Sequence, residues 1–274
     1  MLRRTIAELI TIPVEDAVID ALLYRSPIPA STLVICIHGA LMNFCVGPSR
    51  FLPPMLVQRG FDCLAVNLRG HDLGSIRASF RKPEGWAWHL QSEAFIDLEG
   101  VVAFTQREGY ERYVLLGHSW GALIAAHFVA QNSKKPSPVA LILLSLVHSF
   151  KLFLEVNYGP FVTDVLEQAR QLIASEAEWD LIAAPPGASI PVMSARTIVD
   201  LASATSEPFA NLLSKLPRTL LVAGSREHAA LLEAYDLLAK TGYEVQIINK
   251  AGHFYRGQET SLADTLITWL TPGQ

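Results

Sequence analysis

The chain has 274 residues, half of them hydrophobic and 18% charged, with a net charge of −4. That is ample material for one large core in a single α/β domain, and the charge balance, with no Lys/Arg-rich run, excludes an obvious nucleic-acid surface. The longest apolar run, Val139 to Val147, is strand-sized and far short of the ~20 residues of a membrane span.

Met1-Leu2-Arg3-Arg4 is basic, but Glu8 soon interrupts the apolar stretch, so no secretory signal is expected. The three cysteines, Cys36, Cys45 and Cys63, are odd in number and lack metal-ligand spacing. Cys36 and Cys63 fall inside apolar runs, which reads as buried free thiols in a reducing cytoplasm and no zinc site.

In chain order, alternating apolar and polar residues predict a hairpin, Arg4–Thr11 and Val14–Tyr24, broken at Pro13. Thr32 to Ile37 is a continuous apolar run, as expected of a strand buried on both faces, and it ends in His38-Gly39-Ala40. A helix is expected over Arg50–Arg59, opened by Pro48 and Ser49 and closed by Gly60. Phe61–Leu68 reads as a second buried strand, running into Arg69-Gly70-His71-Asp72. Trp86–Arg107 has helical spacing and stops at Gly109.

Val114-Leu115-Leu116 then meets Gly117-His118-Ser119-Trp120-Gly121, and an alanine-rich helical run, Ala122–Ala130, follows. Strand, tight turn and helix is the setting in which Gly-x-Ser-x-Gly lifts a strained serine into the open. Glycines at both flanks remove side chains that would collide, and the Trp120 amide falls at a helix start, where negative charge is favoured. As a bare pattern the motif is weak; its context makes it specific.

Val139–Leu146 is the next strand. From His148 to Leu213 no strand-length apolar run appears; helical segments such as Val162–Ala174 and Arg196–Ala204 alternate with prolines, among scattered aromatics including Phe153, Tyr158 and Trp179. We read residues 148–213 as a helical cap inserted into a core of residues 1–147 and 214–274. Thr219–Ala223 (strand), Ala229–Lys240 (helix), Glu244–Ile248 (strand) and Ser261–Leu270 (helix) complete the alternation. Such alternation implies a mostly parallel sheet flanked by helices, with ligands beyond the carboxyl ends of the strands.

A serine nucleophile needs a base, and the base an orienting acid. Of eight histidines, His253 follows the last strand on a glycine-bearing loop and is the candidate base. His38 and His118 read as braces, and His71, His89, His127, His148 and His228 as surface, cap or helix residues. Glu227 is the one carboxylate in the loop after Thr219–Ala223, where it also suits the first turn of a helix. The oxyanion donors would be the Trp120 amide and that of Ala40, with Leu41 as second choice. Arg69, Asn43 and His71 lie on strand-end loops, where bracing is the commoner role and substrate contact the alternative.

The order Ser119, Glu227, His253, together with His38-Gly39-Ala40 and Gly252-His253, resembles the α/β-hydrolase superfamily over nearly the whole chain. The His-Gly-Ala loop looks like that of small-ester carboxylesterases. The resemblance implies an α/β-hydrolase fold and a cofactor-free serine hydrolase of a small, largely apolar ester. The family acid is more often aspartate, so Glu227 is a departure. Relatives that cleave carbon–halogen bonds or epoxides carry aspartate at the elbow, which Ser119 disfavours. Thioesters, lactones, carbon–carbon bonds beside a ketone and hydroxynitriles remain open, as do a slow-turnover ligand receptor and a homodimer with a vestigial site. An aminopeptidase is weaker, because the cap lacks an obvious carboxylate pair for an amine.

Overall fold

The computed structural model describes residues 5–15, 17–75, 83–131, 137–147, 150–203 and 209–271. The chain opens with β1 (Glu8–Pro13) and β2 (Val18–Tyr24), an antiparallel hairpin. Pro13 does not break it early: it is the last residue of β1, pairing with Val18. There follow β3 (Thr32–Ile37), α1 (Pro48–Val57), β4 (Asp62–Val66), a short 3₁₀ turn at Trp86–Trp88, α2 (Gln91–Arg107), β5 (Arg112–His118), α3 (Trp120–Gln131) and β6 (Ala140–Leu144). After α4 (Phe150–Tyr158), α5 (Val162–Ala174), β7 (Leu181–Ala183), β8 (Val192–Ser194), α6 (Ala195–Ser203) and α7 (Phe209–Leu213), the chain ends in β9 (Thr219–Gly224), α8 (Ala229–Lys240), β10 (Glu244–Ile248) and α9 (Glu259–Leu270). No helix among the described residues is long and apolar enough to cross a membrane.

Eight strands form one sheet in the order β1-β2-β4-β3-β5-β6-β9-β10. The pairs from β4 through β10 are parallel, and only the β1–β2 hairpin and the β2–β4 seam run antiparallel. The alternation within β3 explains its unbroken apolar run. Leu33, Ile35 and Ile37 face the layer holding Leu98 and Val101 of α2 and Leu123 of α3, whereas Val34 and Cys36 face Leu52 and Leu56 of α1 and Leu262 and Leu266 of α9. Each such leucine or isoleucine contributes about 1.5–3 kcal/mol by leaving water.

Two expectations are corrected. Trp86–Arg107 is not one helix, because the Leu90 amide donates to the Glu93 Oε2 (3.2 Å), a reach-back that starts α2 at Gln91 and leaves Trp86–Trp88 as a separate turn. The stretch between β6 and β9 is not purely helical either: β7 and β8 pair antiparallel, each only three residues long, too short to show a period. That stretch is hydrogen-bonded to the segment around the 3₁₀ turn and the start of α2. Trp88 Nε1 donates to Trp179 O (3.2 Å), the Gln91 amide to Asp200 Oδ2 (2.9 Å), and Thr197 Oγ1 to Ala87 O (3.2 Å).

One buried ion pair locks the loop after β4 onto α2. Arg69 Nε lies 2.7 Å from Asp97 Oδ1, and the Arg69 amide donates to Oδ2 (2.8 Å), with the two side chains 5% and 0% exposed. Burial pushes the Asp97 carboxyl up to about 6, against the pull of Arg69. The pair is therefore costly to desolvate, yet costlier to break, since a lone guanidinium would stay buried. Asp97→Asn is expected to lower unfolding free energy at pH 7.5 by about 3–5 kcal/mol, read from urea midpoints.

Candidate active site

β5 delivers the elbow. Ser119 has φ 54°, a left-handed conformation that costs a non-glycine residue energy and marks sites held by their surroundings. Its amide donates to Leu144 O (2.8 Å), anchoring the turn on the neighbouring strand. The flanking glycines are obligatory: a Cβ at Gly117 would sit 2.4 Å from Gly121 O, and one at Gly121 would sit 2.3 Å from His38 O. The serine is 7% exposed, and α3 begins directly after it at Trp120. Across the rim, Leu41 turns through φ 59°, and the Ala40 amide has no protein acceptor among the described residues.

The loops after β9 and β10 are laced together by Ser225 N–H to Ile248 O (2.9 Å), Arg226 N–H to Ala251 O (2.8 Å) and Lys250 N–H to Ser225 Oγ (2.8 Å). Gly224 approaches Ala251 so closely that a Cβ there would fall 2.4 Å from its carbonyl oxygen. This brings Glu227 to His253, whose Nδ1 lies 3.2 Å from both carboxylate oxygens. The carboxylate side chain is 6% exposed and the imidazole 34%. His253 in turn meets the elbow: its ring is 4.9 Å from that of His118, and its carbonyl accepts from His118 Nε2 (2.8 Å). The Ser119 hydroxyl and His253 share no hydrogen bond among the described residues, as is common in unliganded sites where the contact tightens with substrate.

Sequence reasoning missed Ser145. It sits just beyond β6 with φ 49°, donates its hydroxyl to Glu227 Oε1 (2.5 Å), and meets Tyr255 OH (2.9 Å), which bonds Val222 O (3.0 Å). A polar residue directly after a buried strand at the carboxyl edge was the available signal. Also unforeseen is an aromatic wall around Trp120: Trp86 stands edge-on to it (centroids 4.9 Å), and Phe153 of α4 packs on both (5.5 and 5.4 Å).

The other candidates are braces. His38 holds Gly39 O through Nδ1 (2.9 Å) and accepts the Leu68 amide at Nε2 (3.2 Å). Asn43 donates to Asp72 Oδ1 (2.8 Å), whose Oδ2 takes His71 Nδ1 (2.8 Å), and Arg69 is committed to Asp97. His89 is buried against Trp86, His127 is buried on α3, His228 accepts the Ala230 amide at the start of α8, and His148 lies outside the described residues.

Burial holds two of these histidines neutral, His38 lowered to about 4 and His118 to about 3. Unfolded, both would take protons near pH 6.5, so the stability they confer is complete above that pH and is lost as pH falls toward 4. We expect each to remove on the order of 2 kcal/mol from unfolding free energy between pH 7 and pH 4.5. A His118→Asn variant should show a shallower loss in denaturation midpoints over the same window.

The alpha/beta hydrolase family profile matches residues 34–264, most of the chain. This chain belongs to the alpha/beta hydrolase family. Solved structures agree on the fold of this α/β hydrolase. Est1E from Butyrivibrio proteoclasticus is 16% identical with a TM-score of 0.67, covering 96% of this chain and 97% of its own. Est1E with bound ferulic acid gives 18% identity and 0.67, covering 95% and 97%. The monoglyceride lipase of Saccharomyces cerevisiae, in a soluble variant, gives 14% and 0.70, covering 98% and 96%. No curated protein matches this α/β hydrolase in sequence.

Proposed function

We propose that this α/β hydrolase cleaves small, largely apolar carboxylic esters with a Ser119–His253–Glu227 triad. The observation that carries the reading is the double approach of Glu227 to His253 Nδ1 at 3.2 Å, on a ring packed beside the elbow. A carboxylate accepts only, so Nδ1 carries the proton and Nε2 is left basic. Ser119 Oγ attacks the ester carbon as its proton passes to Nε2. The oxyanion is held by the Ala40 and Trp120 amides, with Leu41 the alternative to Ala40. Collapse breaks the C–O bond as Nε2 returns the proton to the alcohol. Water, deprotonated by the same nitrogen, then releases the acid.

The insert at 148–213 acts in this reading as a lid. Phe153, pressed on Trp86 and Trp120, would form the wall for an acyl or aryl group. Ferulic acid, the ligand of one Est1E structure, is such an aryl acid. All three cysteines are free, which suits the reducing cytoplasm as its compartment.

The test is hydrolysis of p-nitrophenyl acetate and butyrate by the wild type and by Ser119→Ala. Serine-dependent turnover is the expected result. Equal background rates in both proteins would leave only ligand binding.

A further inference from the structure

A cleft of about 350 Å³ has a lining that includes Arg50, Arg256, Val46, Phe51, Phe254 and Glu259, and the loop after β10 reaches it through Phe254 beside His253. Arg50 lies on α1 and Arg256 on the loop that carries His253, and both are exposed. Neither guanidinium has a hydrogen bond or an ion pair among the described residues; Arg256 only overhangs the Phe254 ring at 5.6 Å. The one carboxylate of the lining, Glu259, accepts the Gly257 amide (3.1 Å) and pairs with neither arginine. The helix α1 begins at the cleft wall, after Gly47, with no side-chain cap and no acidic residue in its first turn. Although the start of α1 offers few free donors, with Pro48 lacking an N–H and the Arg50 amide bonded to Gly47 O (3.1 Å), two unpaired guanidiniums face one hollow that holds a single carboxylate, on a chain of net charge −4.

The cleft and the proposed base share a wall. The Phe254 ring stands 5.3 Å from that of His253 on one side and faces Gly47 on the other. Arg256 is three positions after His253, a Cα–Cα reach of at most about 10 Å. Val46, Phe51 and Phe254 give the cleft apolar surface that methylenes could contact.

We propose that this cleft binds a carboxylate carried by the substrate, so that the preferred esters are those with an acid group several methylenes from the scissile bond. The inference rests on the ester-hydrolase reading and deepens it. Guanidinium forks match carboxylate geometry, and the apolar walls take the intervening chain.

The test uses p-nitrophenyl half-esters of succinic, adipic and suberic acids beside methyl-terminated esters of equal length. The readout is the ratio of kcat/KM, charged over neutral, in the wild type and in the Arg50→Gln/Arg256→Gln double variant. We expect a ratio of about 10 or more at one length, falling to about 1 in the double variant and declining with added salt. A ratio near 1 at every length, or one that survives the double substitution, overturns the inference while leaving ester hydrolysis standing. If no ester is turned over, the parent reading falls, and calorimetry of monomethyl suberate on Ser119→Ala decides the cleft. Binding weakened about tenfold by the two arginine substitutions supports it, and unchanged binding overturns it.

Discussion

Ser119→Ala is expected to lower kcat for p-nitrophenyl butyrate by roughly 10³–10⁶, with the fold intact. Alanine keeps the same Cβ at φ 54°, so the elbow bears no new strain, and the hydroxyl of this buried residue is not among the hydrogen-bonded groups that hold the turn. On the proposed mechanism, what is lost is the nucleophile alone. His253→Ala should cost a similar factor, because without Nε2 the hydroxyl stays protonated at neutral pH. The two losses should not add: once either member is gone, the residual rate comes from the oxyanion amides and from binding, which the second substitution leaves in place. Additive losses would show that His253 acts in some other step. Thermal midpoints measured alongside separate a chemical loss from an unfolded protein.

The parts of this molecule legible in its sequence are those governed by local pattern. β3, β4, β5 and β6 are buried on both faces and announce themselves as unbroken apolar runs; α5, α8 and β10 begin and end where their spacing and breaks place them. The elbow is legible for a different reason. Gly117 and Gly121 are demanded by backbone atoms within 2.4 Å, so the constraint is written directly in residue identity. What could not be read depends on partners distant in sequence. Bracing is the commoner role expected of Arg69 on its strand-end loop, but its partner could not be named, because Asp97 lies 28 positions away. Ser145 carries no local motif, and its meaning comes from Glu227, 82 positions later. The break before α2 turns on a single side chain, Glu93, reaching back to one amide.

Glu227→Gln is expected to reduce kcat by roughly 10²–10⁴ without loss of fold. The size follows from the bonds the carboxylate makes. Oε1 accepts the Ser145 hydroxyl at 2.5 Å, and both oxygens stand 3.2 Å from His253 Nδ1. A glutamine that leaves its oxygen facing Ser145 sets its NH₂ at the other 3.2 Å position, where it competes with that oxygen for Nδ1. A donor there draws the imidazole into the other tautomer, with the proton on Nε2, and that nitrogen can no longer accept from Ser119. Rotating the amide sets the NH₂ against Ser145, whose hydroxyl must then reverse to accept, and in either orientation glutamine forfeits the negative charge that, in the proposed mechanism, stabilises the imidazolium. Ser145→Ala leaves that charge in place and removes one of its donors, so its effect on kcat should be clearly smaller than that of Glu227→Gln. If instead Glu227→Gln proves as fast as the wild type, His253 is oriented by another carboxylate, and the double 3.2 Å contact has no part in the chemistry.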